Sequence, residues 1–259
     1  PRGPLRRWSV ASLLLLLIVA AWSLSGTGVG PASLLEGREG GLRLLRAFLR
    51  PDLSPAFLGD VAQAALQTLQ ISLAGLLLGA LAGLPVAVLI AGNVAAPRPL
   101  RVVARLGAAV MRGVPELLWA LVFVATVGLG PAAGVYAIAL HGAGLLGKLC
   151  AEQLEAVDPA PVEALRLTGA PRWATALLGI VPQARTGVVS LLLYQWECNI
   201  RTATVVGFVG AGGIGQALDL SLRLFRYPQL STLVLGVLGL IFGVDAVSRV
   251  VRRRLGAAA

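Results

Sequence analysis

Residues 152–185 read EQLEAVDPAPVEALRLTGAPRWATALLGIVPQAR and interrupt an otherwise apolar chain with a polar, proline-punctuated segment. Asp158 precedes Pro159 and is suited to cap the start of a helix, with Glu163 in its first turn. Gly169 is expected to end that helix, and a proline two residues later to begin the next one. The pattern predicts a helical hairpin that projects into water between two apolar segments.

The rest of the chain has the composition of a membrane protein. Of its 259 residues, 57% are hydrophobic and 13% are charged, whereas a soluble domain carries about 25% charged residues. Backbone groups in hydrocarbon must be hydrogen-bonded within the protein, so we expect the apolar segments to be helices. The predicted fold class is an all-α membrane protein with about six transmembrane helices. The predicted spans are residues 8–25, 61–92, 102–127, 134–156, 186–207 and 229–250. Gly and Pro residues in 128–134 separate the third span from the fourth.

The net charge of +10 does not indicate a nucleic-acid partner, because the basic residues lie between apolar runs rather than along one face. Cys150 and Cys198 have neither CxxC spacing nor a nearby histidine partner. They therefore support neither a metal site nor a disulfide framework.

The predicted organisation has two parts. Residues 1–60 are expected to form the first transmembrane helix and an extracytoplasmic amphipathic loop, and residues 61–259 the core that includes the cytoplasmic hairpin. Within the loop, leucines alternate with arginines in residues 34–50. This pattern is typical of a helix on a membrane surface, and equally of a connecting helix packed on its own protein. The distribution of basic residues favours cytoplasmic N- and C-termini. Because the chain begins with Pro1, we expect a trimmed or incomplete start. Arg6 and Arg7 before the first apolar run resemble the start of a signal peptide, but no small-residue cleavage site follows, so we expect an uncleaved first span.

Two glycine-rich segments resemble nucleotide-binding motifs without the required context. Residues 210–215 match GxGxxG, but the strand-helix-strand unit and the correctly spaced acidic residue are missing. Residues 142–148 approach a phosphate-binding loop, but Leu149 stands where a Ser or Thr would ligate magnesium. We therefore expect this chain to bind no cofactor or metal. The first segment instead predicts a gate or helix break at the outer end of the fifth span, formed by Gly210, Gly212, Gly213 and Gly215.

Charged residues inside the predicted spans need partners or water, because each costs roughly 2.5–3.5 kcal/mol on insertion scales. Glu197 and Arg201 are four residues apart, as are Arg112 and Glu116, so the members of each pair share a helix face. Either the pairs neutralise themselves, or these side chains and His141 line a polar pathway. His141 has no second ligand at helical spacing, which favours a packed histidine over a metal ligand.

The hairpin resembles the EAA signature of the permease subunits of binding-protein-dependent ABC importers. The matching residues are Glu163, Ala164, Leu165, Gly169, Val181 and Pro182. Leu165 stands where the signature usually has a second alanine, and Gly179 where it has isoleucine. The resemblance extends over roughly residues 60–255.

Three further stretches are similar to the subfamily that imports phosphonate or phosphite. They are residues 112–123 (RGVPELLWALVF), 140–149 (LHGAGLLGKL) and 195–215 (QWECNIRTATVVGFVGAGGIG). Cys198 stands where that subfamily more often has an aromatic residue. The resemblance implies the type I ABC importer permease (MetI-like) fold and a cargo of phosphonate, phosphite or a related phosphorus oxyanion.

The resemblance also implies the partners. They are two ABC ATPase subunits that hold ATP and Mg, a second permease copy or paralogue, a periplasmic substrate-binding protein and the lipid of the bacterial inner membrane. The ATPase would dock on Glu163, Ala164, Leu165, Arg166, Thr168, Gly169 and Pro182. The oxyanion would be attracted to a pathway lined by Arg112, Glu116, His141, Glu197 and Arg201.

Two other functions stay open. A permease of the same architecture could carry another small solute, such as methionine or an osmolyte, although residues 196–215 disfavour it. A secondary transporter working alone would need coupling carboxylates within the spans, for which Glu116, Glu197 and Asp245 are the candidates. We expect a transporter subunit rather than an enzyme, because one histidine and scattered carboxylates assemble no catalytic group.

Overall fold

The computed structural model describes residues 4–27, 38–94 and 97–254, and no β-strand occurs in these ranges. The predicted all-α class is therefore confirmed. The chain divides into two units, residues 1–50 and residues 51–259, which are described separately.

The first unit contains helices α1 (Pro4–Thr27) and α2 (Arg38–Phe48). In α1, the window Val10–Thr27 has a mean hydropathy of 2.0 and is long enough to cross a membrane. Helix α2 is the larger part of the predicted amphipathic segment. Leu34 and Leu35, which were assigned to the same segment, lie outside the described residues.

The second unit contains the remaining helices. They are α3 (Pro55–Ile90), α4 (Arg98–Gly113), α5 (Glu116–Val127), α6 (Pro131–Glu155), α7 (Pro159–Leu167), α8 (Arg172–Thr175), a π-helical turn (Ala176–Ile180), α9 (Val181–Gly207), α10 (Gly213–Arg223) and α11 (Tyr227–Arg254). In the described part of the chain, five helical segments are long and apolar enough to cross a membrane, or six if the α4–α5 pair forms one span. This agrees with the predicted number of spans.

The third predicted span is wrong as a single helix, because α4 and α5 meet at an angle of 87°. Pro115 lacks a backbone N–H, and Val114 before it adopts an extended conformation with φ −90° and ψ 125°. His141 Nδ1 lies 3.1 Å from the Val114 carbonyl oxygen. Trp119 Nε1–H donates to the Met111 carbonyl at 3.0 Å. Side chains thus satisfy carbonyl groups that the bend removes from the helical ladder.

Helices α3 and α6 run in the same direction and form the most extensive helix–helix contact among the described residues. Gly75, Gly79 and Gly83 lie one turn apart on α3 and face α6. A Cβ added at Gly83 would lie 2.8 Å from the Ala143 carbonyl oxygen, and one at Gly75 would lie 2.7 Å from Ile138 Cγ2. Small residues therefore allow the two backbones to approach closely, as in other membrane helix pairs.

The core has two ends, which we name by their contents. At the hairpin end, α3 and α6 finish side by side, and the Gly92 N–H donates to Glu155 Oε1 at 2.6 Å. Helix α7 continues from this end. At the glycine end, the Gly130 N–H donates to the Gly210 carbonyl at 2.9 Å and joins the α5–α6 turn to the α9–α10 turn. Helix α9 is antiparallel to α3, whereas α11 is parallel to α3.

Candidate functional site

The first helix of the predicted hairpin is present as α7, between Asp158 and Gly169, whereas the second arm, from Arg172, continues without a break into α9. Asp158 Oδ1 accepts a hydrogen bond from the Ala160 N–H at 3.0 Å and caps α7. Gly169 follows the helix with φ +80°, a left-handed conformation that favours glycine. Glu163 is the fifth residue of α7, so its predicted place in the first turn is wrong.

One face of α7 packs against the chain that follows it. Val162 is buried there, and Gly179 of the π-helical turn leaves room for Leu165, since a Cβ at Gly179 would lie 3.0 Å from Leu165 Cδ1. On the other side, Arg166 Nη2 donates to the Asn93 carbonyl in the α3–α4 loop at 3.2 Å. The hairpin therefore contacts both the start of α9 and the end of α3.

The opposite face of the hairpin is exposed. Leu167 is 89% exposed and Trp173 is 71% exposed. Apolar side chains gathered on an exposed polar segment indicate a surface for another protein. The other exposed residues among the predicted docking positions are Glu163, Ala164, Arg166, Thr168, Gly169 and Pro182. Of the predicted docking residues, Leu165 packs against Gly179 and Arg166 donates to the Asn93 carbonyl, so both also contact the chain itself.

A second group of polar residues meets at the α4–α5 bend. Thr202 Oγ1 donates to Glu116 Oε1 at 3.2 Å, and His141 Nε2 lies 3.8 Å from Glu116 Oε2. When a neutral His141 donates its Nδ1–H to the Val114 carbonyl, its Nε2 carries a lone pair that faces the Glu116 carboxylate. Attraction between the two side chains therefore needs a second proton, on the ring or on Glu116. We call these three residues, Glu116, His141 and Thr202, the bend cluster.

Both predicted intrahelical pairs are wrong. Among the described residues, Glu197 pairs instead with Arg252 of α11, and no ion pair joins Arg112 to Glu116. Arg201 is exposed, next in sequence to Thr202 of the bend cluster. Helical spacing identifies only neighbours on the same helix, whereas the partner of Glu197 lies on a different helix, α11.

A pair of buried amides was missed by the sequence analysis. Gln195 Nε2 donates to Asn199 Oδ1 at 2.9 Å, and Asn199 Nδ2 donates to the Ser72 carbonyl of α3 at 3.3 Å. Two amides four residues apart in an apolar helix are a usable signal, because each needs a partner in the membrane.

The glycine-rich segment forms the turn between α9 and α10. Gly212 and Gly213 have φ values of +81° and +70°, so this path of the backbone favours glycine. The Gly213 N–H donates to Gln67 Oε1 at 2.7 Å, and the Ile214 N–H donates to Thr68 Oγ1 at 2.8 Å. The break after α9 therefore lies where predicted, and two hydrogen bonds from its backbone to side chains of α3 hold it in place.

The bundle of apolar helices with a capped, exposed hairpin at one end is that of a membrane permease. Residues 56–257 match the model of the family described as "Binding-protein-dependent transport system inner membrane component", and the chain belongs to this family. The phosphite transport system permease protein PtxC of Stutzerimonas stutzeri is 42% identical over 189 residues, which are 73% of this chain and 68% of the relative. The phosphate-import permease protein PhnE of Mycolicibacterium smegmatis is 36% identical over 239 residues. These residues are 92% of this chain, which spans only 44% of that relative.

Solved structures support the predicted fold. A chain of the inward-facing MetNI methionine ABC transporter superposes with a TM-score of 0.70 at 19% identity, covering 78% of this chain and 99% of that chain. A bacterial ABC transporter involved in the import of the polysaccharide alginate gives a TM-score of 0.60 at 17% identity, covering 94% and 96%. The type I ABC importer permease (MetI-like) fold is confirmed.

Proposed function

We propose that this chain is the permease subunit of an ABC importer that carries phosphonate, phosphite or a related phosphorus oxyanion, driven by ATP hydrolysis in separate subunits. The observation that carries the proposal is the exposed face of the hairpin, on which Leu167 ends α7 and Trp173 lies in α8. A membrane protein that uses a motor in another subunit needs such a contact surface. The substrate class is supported by the names of the relatives, which are phosphite and phosphate permeases.

In this proposal the hairpin end faces the cytoplasm and the glycine end faces the periplasm of a bacterial inner membrane. Basic residues of the core support this orientation, because cytoplasmic segments are enriched in Lys and Arg. At or directed toward the hairpin end are Arg98, Arg101, Arg105, Lys148, Arg166, Arg172, Arg185, Arg249, Arg252, Arg253 and Arg254. Toward the glycine end are Arg201, near the end of α9, and Arg223 and Arg226. Both chain termini are then cytoplasmic.

The ATPase, with its ATP and Mg, docks on the exposed face of α7. Its movement reaches the membrane helices through two contacts. Leu165 against Gly179 transmits displacement to the start of α9, and Arg166 holds the Asn93 carbonyl at the end of α3. Because α3 packs along α6 through its glycines, a shift at the hairpin end moves both helices together.

The pathway for the oxyanion runs past the bend cluster, between this chain and a second permease copy or paralogue. The Glu116 carboxylate repels an anion, so attraction is assigned to the exposed Arg201, which precedes Thr202 in α9. Arg112 lies closer to the hairpin end, where its side chain shares a small cavity with Arg105 and Lys148. A periplasmic binding protein delivers the oxyanion at the glycine end.

Reconstitution with the ATPase and the binding protein tests the proposal. Leu167→Glu places a charge on the docking face, and we expect loss of ATPase co-purification and an at least tenfold loss of ATP-driven phosphite uptake. Leu167→Met keeps the apolar contact and is the matched control. Uptake and ATPase binding that survive Leu167→Glu unchanged contradict the proposal. Uptake driven by an ion gradient without the ATPase supports the stand-alone transporter, and uptake of methionine but not phosphite supports the other-solute permease.

A further inference from the structure

Helix α2 carries one row of leucines and one row of arginines, and both rows have the same spacing of three and then four residues. The rows are Leu42, Leu45 and Leu49, and Arg43, Arg46 and Arg50. The Leu49 N–H donates to the Leu45 carbonyl at 3.3 Å, so the helical path continues one residue past the end of α2. Each arginine follows a leucine directly, which places the arginine row about 100° around the helix axis from the leucine row.

The leucine row is exposed in the structure of the chain. Leu45 is 65% exposed and Leu49 is 82% exposed. A connecting helix that packs on its own protein would bury this row, because the apolar side of an amphipathic helix faces its core. The exposure therefore favours the other interpretation of the pattern, a helix whose apolar row contacts lipid or another molecule.

The arginines favour lipid as the partner. Residues 38–50 contain four arginines and one glutamate, a net charge of +3. When a helix lies along a bilayer surface with its apolar row among the acyl chains, side chains about 100° away from that row lie at the level of the headgroups. Anionic headgroups carry phosphate oxygens there, which match guanidinium groups in charge and in hydrogen bonding.

The connections of α2 hold it close to a bilayer. The helix before it, α1, and the helix after it, α3, are both long and apolar enough to cross a membrane. Only residues 49–54 separate α2 from the start of α3 at Pro55. A chain of this length spans at most about 25 Å when fully extended. Helix α2 therefore stays within reach of the surface that its two rows of side chains fit.

We propose that α2 binds along the surface of an anionic bilayer, with Leu42, Leu45 and Leu49 among the acyl chains and Arg46 and Arg50 at the lipid phosphates. The contact holds the segment between the first two candidate spans against the membrane. The proposal does not depend on the proposed function, because it requires neither the ATPase nor transport.

Spin-label accessibility tests this placement in the purified full chain, with both native cysteines changed to alanine. The label is attached at Leu45→Cys in nanodiscs of phosphatidylcholine and phosphatidylglycerol. Oxygen is concentrated among acyl chains and a nickel chelate in water, so their collisions with the label report its surroundings. Leu15→Cys in α1 and Leu167→Cys on the hairpin are the lipid and water references, since both leucines are exposed. We expect the Leu45 label to collide more with oxygen than with the nickel chelate.

The arginines are tested with the label kept at residue 45. Arg46→Gln and Arg50→Gln are each expected to shift the equilibrium of the label from lipid toward water by about fivefold in the anionic nanodiscs. In nanodiscs of phosphatidylcholine alone, these variants and the parent are expected to agree. Arg226→Gln is the matched control, because Arg226 is also exposed but lies outside α2.

Three results overturn the proposal. The first is a Leu45 label that collides more with the nickel chelate than with oxygen, which places the leucine row in water. The second is a label that neither reagent reaches, which shows that protein covers the row. The third is a position of the label that does not depend on phosphatidylglycerol or on the two arginines. Leu49→Cys reads the same row and replaces Leu45→Cys if that variant does not fold.

Discussion

His141 Nδ1 lies 3.1 Å from the Val114 carbonyl oxygen, although the two residues are 27 positions apart in the sequence. The contact connects the middle of α6 to the bend between α4 and α5. Because Pro115 and the extended Val114 interrupt the helical ladder there, the carbonyl depends on a side chain for its hydrogen bond. The same histidine turns its other nitrogen toward Glu116.

Removal of this donor is expected to destabilise the bend. His141→Phe leaves the Val114 carbonyl without a partner in a low-dielectric setting, which costs about 1–3 kcal/mol. His141→Gln retains an N–H donor and is expected to lose less. Thermal unfolding of the purified chain in detergent measures both variants. Equal losses in the two variants would show that packing, not the hydrogen bond, holds the bend.

The contact of α3 with α6 predicts a strong position effect for alanine. At Gly83 an added Cβ meets the Ala143 carbonyl oxygen at 2.8 Å, whereas at Gly239 nothing lies within 4 Å. Gly83→Ala therefore forces the helices apart, with an expected cost of about 1–3 kcal/mol. Gly239→Ala serves as the control and is expected to leave the unfolding temperature nearly unchanged. A Gly83→Ala protein as stable as the control contradicts the close packing.

The Glu197–Arg252 pair links α9 to the end of α11, and both side chains are largely buried. Arg252→Met leaves the Glu197 carboxylate without its partner and is expected to cost about 3–5 kcal/mol. Combining it with Glu197→Gln removes the unpaired charge, so the double variant is expected to be more stable than Arg252→Met alone. Chemical denaturation of the four proteins gives the coupling energy. A coupling near zero means that the pair contributes nothing to stability.

Gly169 is predicted to be required for its backbone conformation rather than for lack of space. Its φ is +80°, whereas no atom lies within 4 Å of an added Cβ. Gly169→Val introduces backbone strain of at least about 1–2 kcal/mol and is expected to displace the start of α8. Gly169→Asn accepts the left-handed conformation more readily. We expect ATP-driven uptake to fall in the valine variant and to persist in the asparagine variant. Full uptake in Gly169→Val would show that coupling does not require the left-handed conformation at residue 169.

Asp52 predicts a dependence of stability on pH at the glycine end. Hydrogen bonds from the backbone and side chain of Ser54 lower the pKa of the Asp52 carboxyl below its ordinary value of 3.8. The unfolded chain therefore takes up the proton first as the pH falls, so the stabilisation is present at neutral pH and is lost below about pH 4. Asp52→Asn is expected to be less stable than the parent at neutral pH, and the difference narrows in acid. Unfolding temperatures from about pH 6 to pH 3 check this, and a constant difference would contradict it.

Local sequence signals predicted the hairpin well. Asp158 caps its helix and Gly169 ends it, since both effects depend on the residue itself and its immediate neighbours. The break at 128–130 was predicted for the same reason. The bend at Val114–Pro115 carried an equally local signal, but the run of apolar residues on both sides favoured one continuous span.

Long-range partners were not predictable from spacing. Glu197 and Arg201 share a helix face, yet Glu197 pairs with Arg252, which is 55 residues away. Asn199 bonds to Ser72, 127 residues away.

Because α3 and α6 run in the same direction, both helices begin on the same side of the bilayer, α3 at Pro55 and α6 at Pro131. The bent α4–α5 pair therefore returns the chain across the membrane once, as a single straight helix would. A cysteine introduced at Leu53 and another at Leu129 are therefore expected to react with the same impermeant thiol reagent, added to the same compartment. One placed at Leu167 is expected to be modified only from the other.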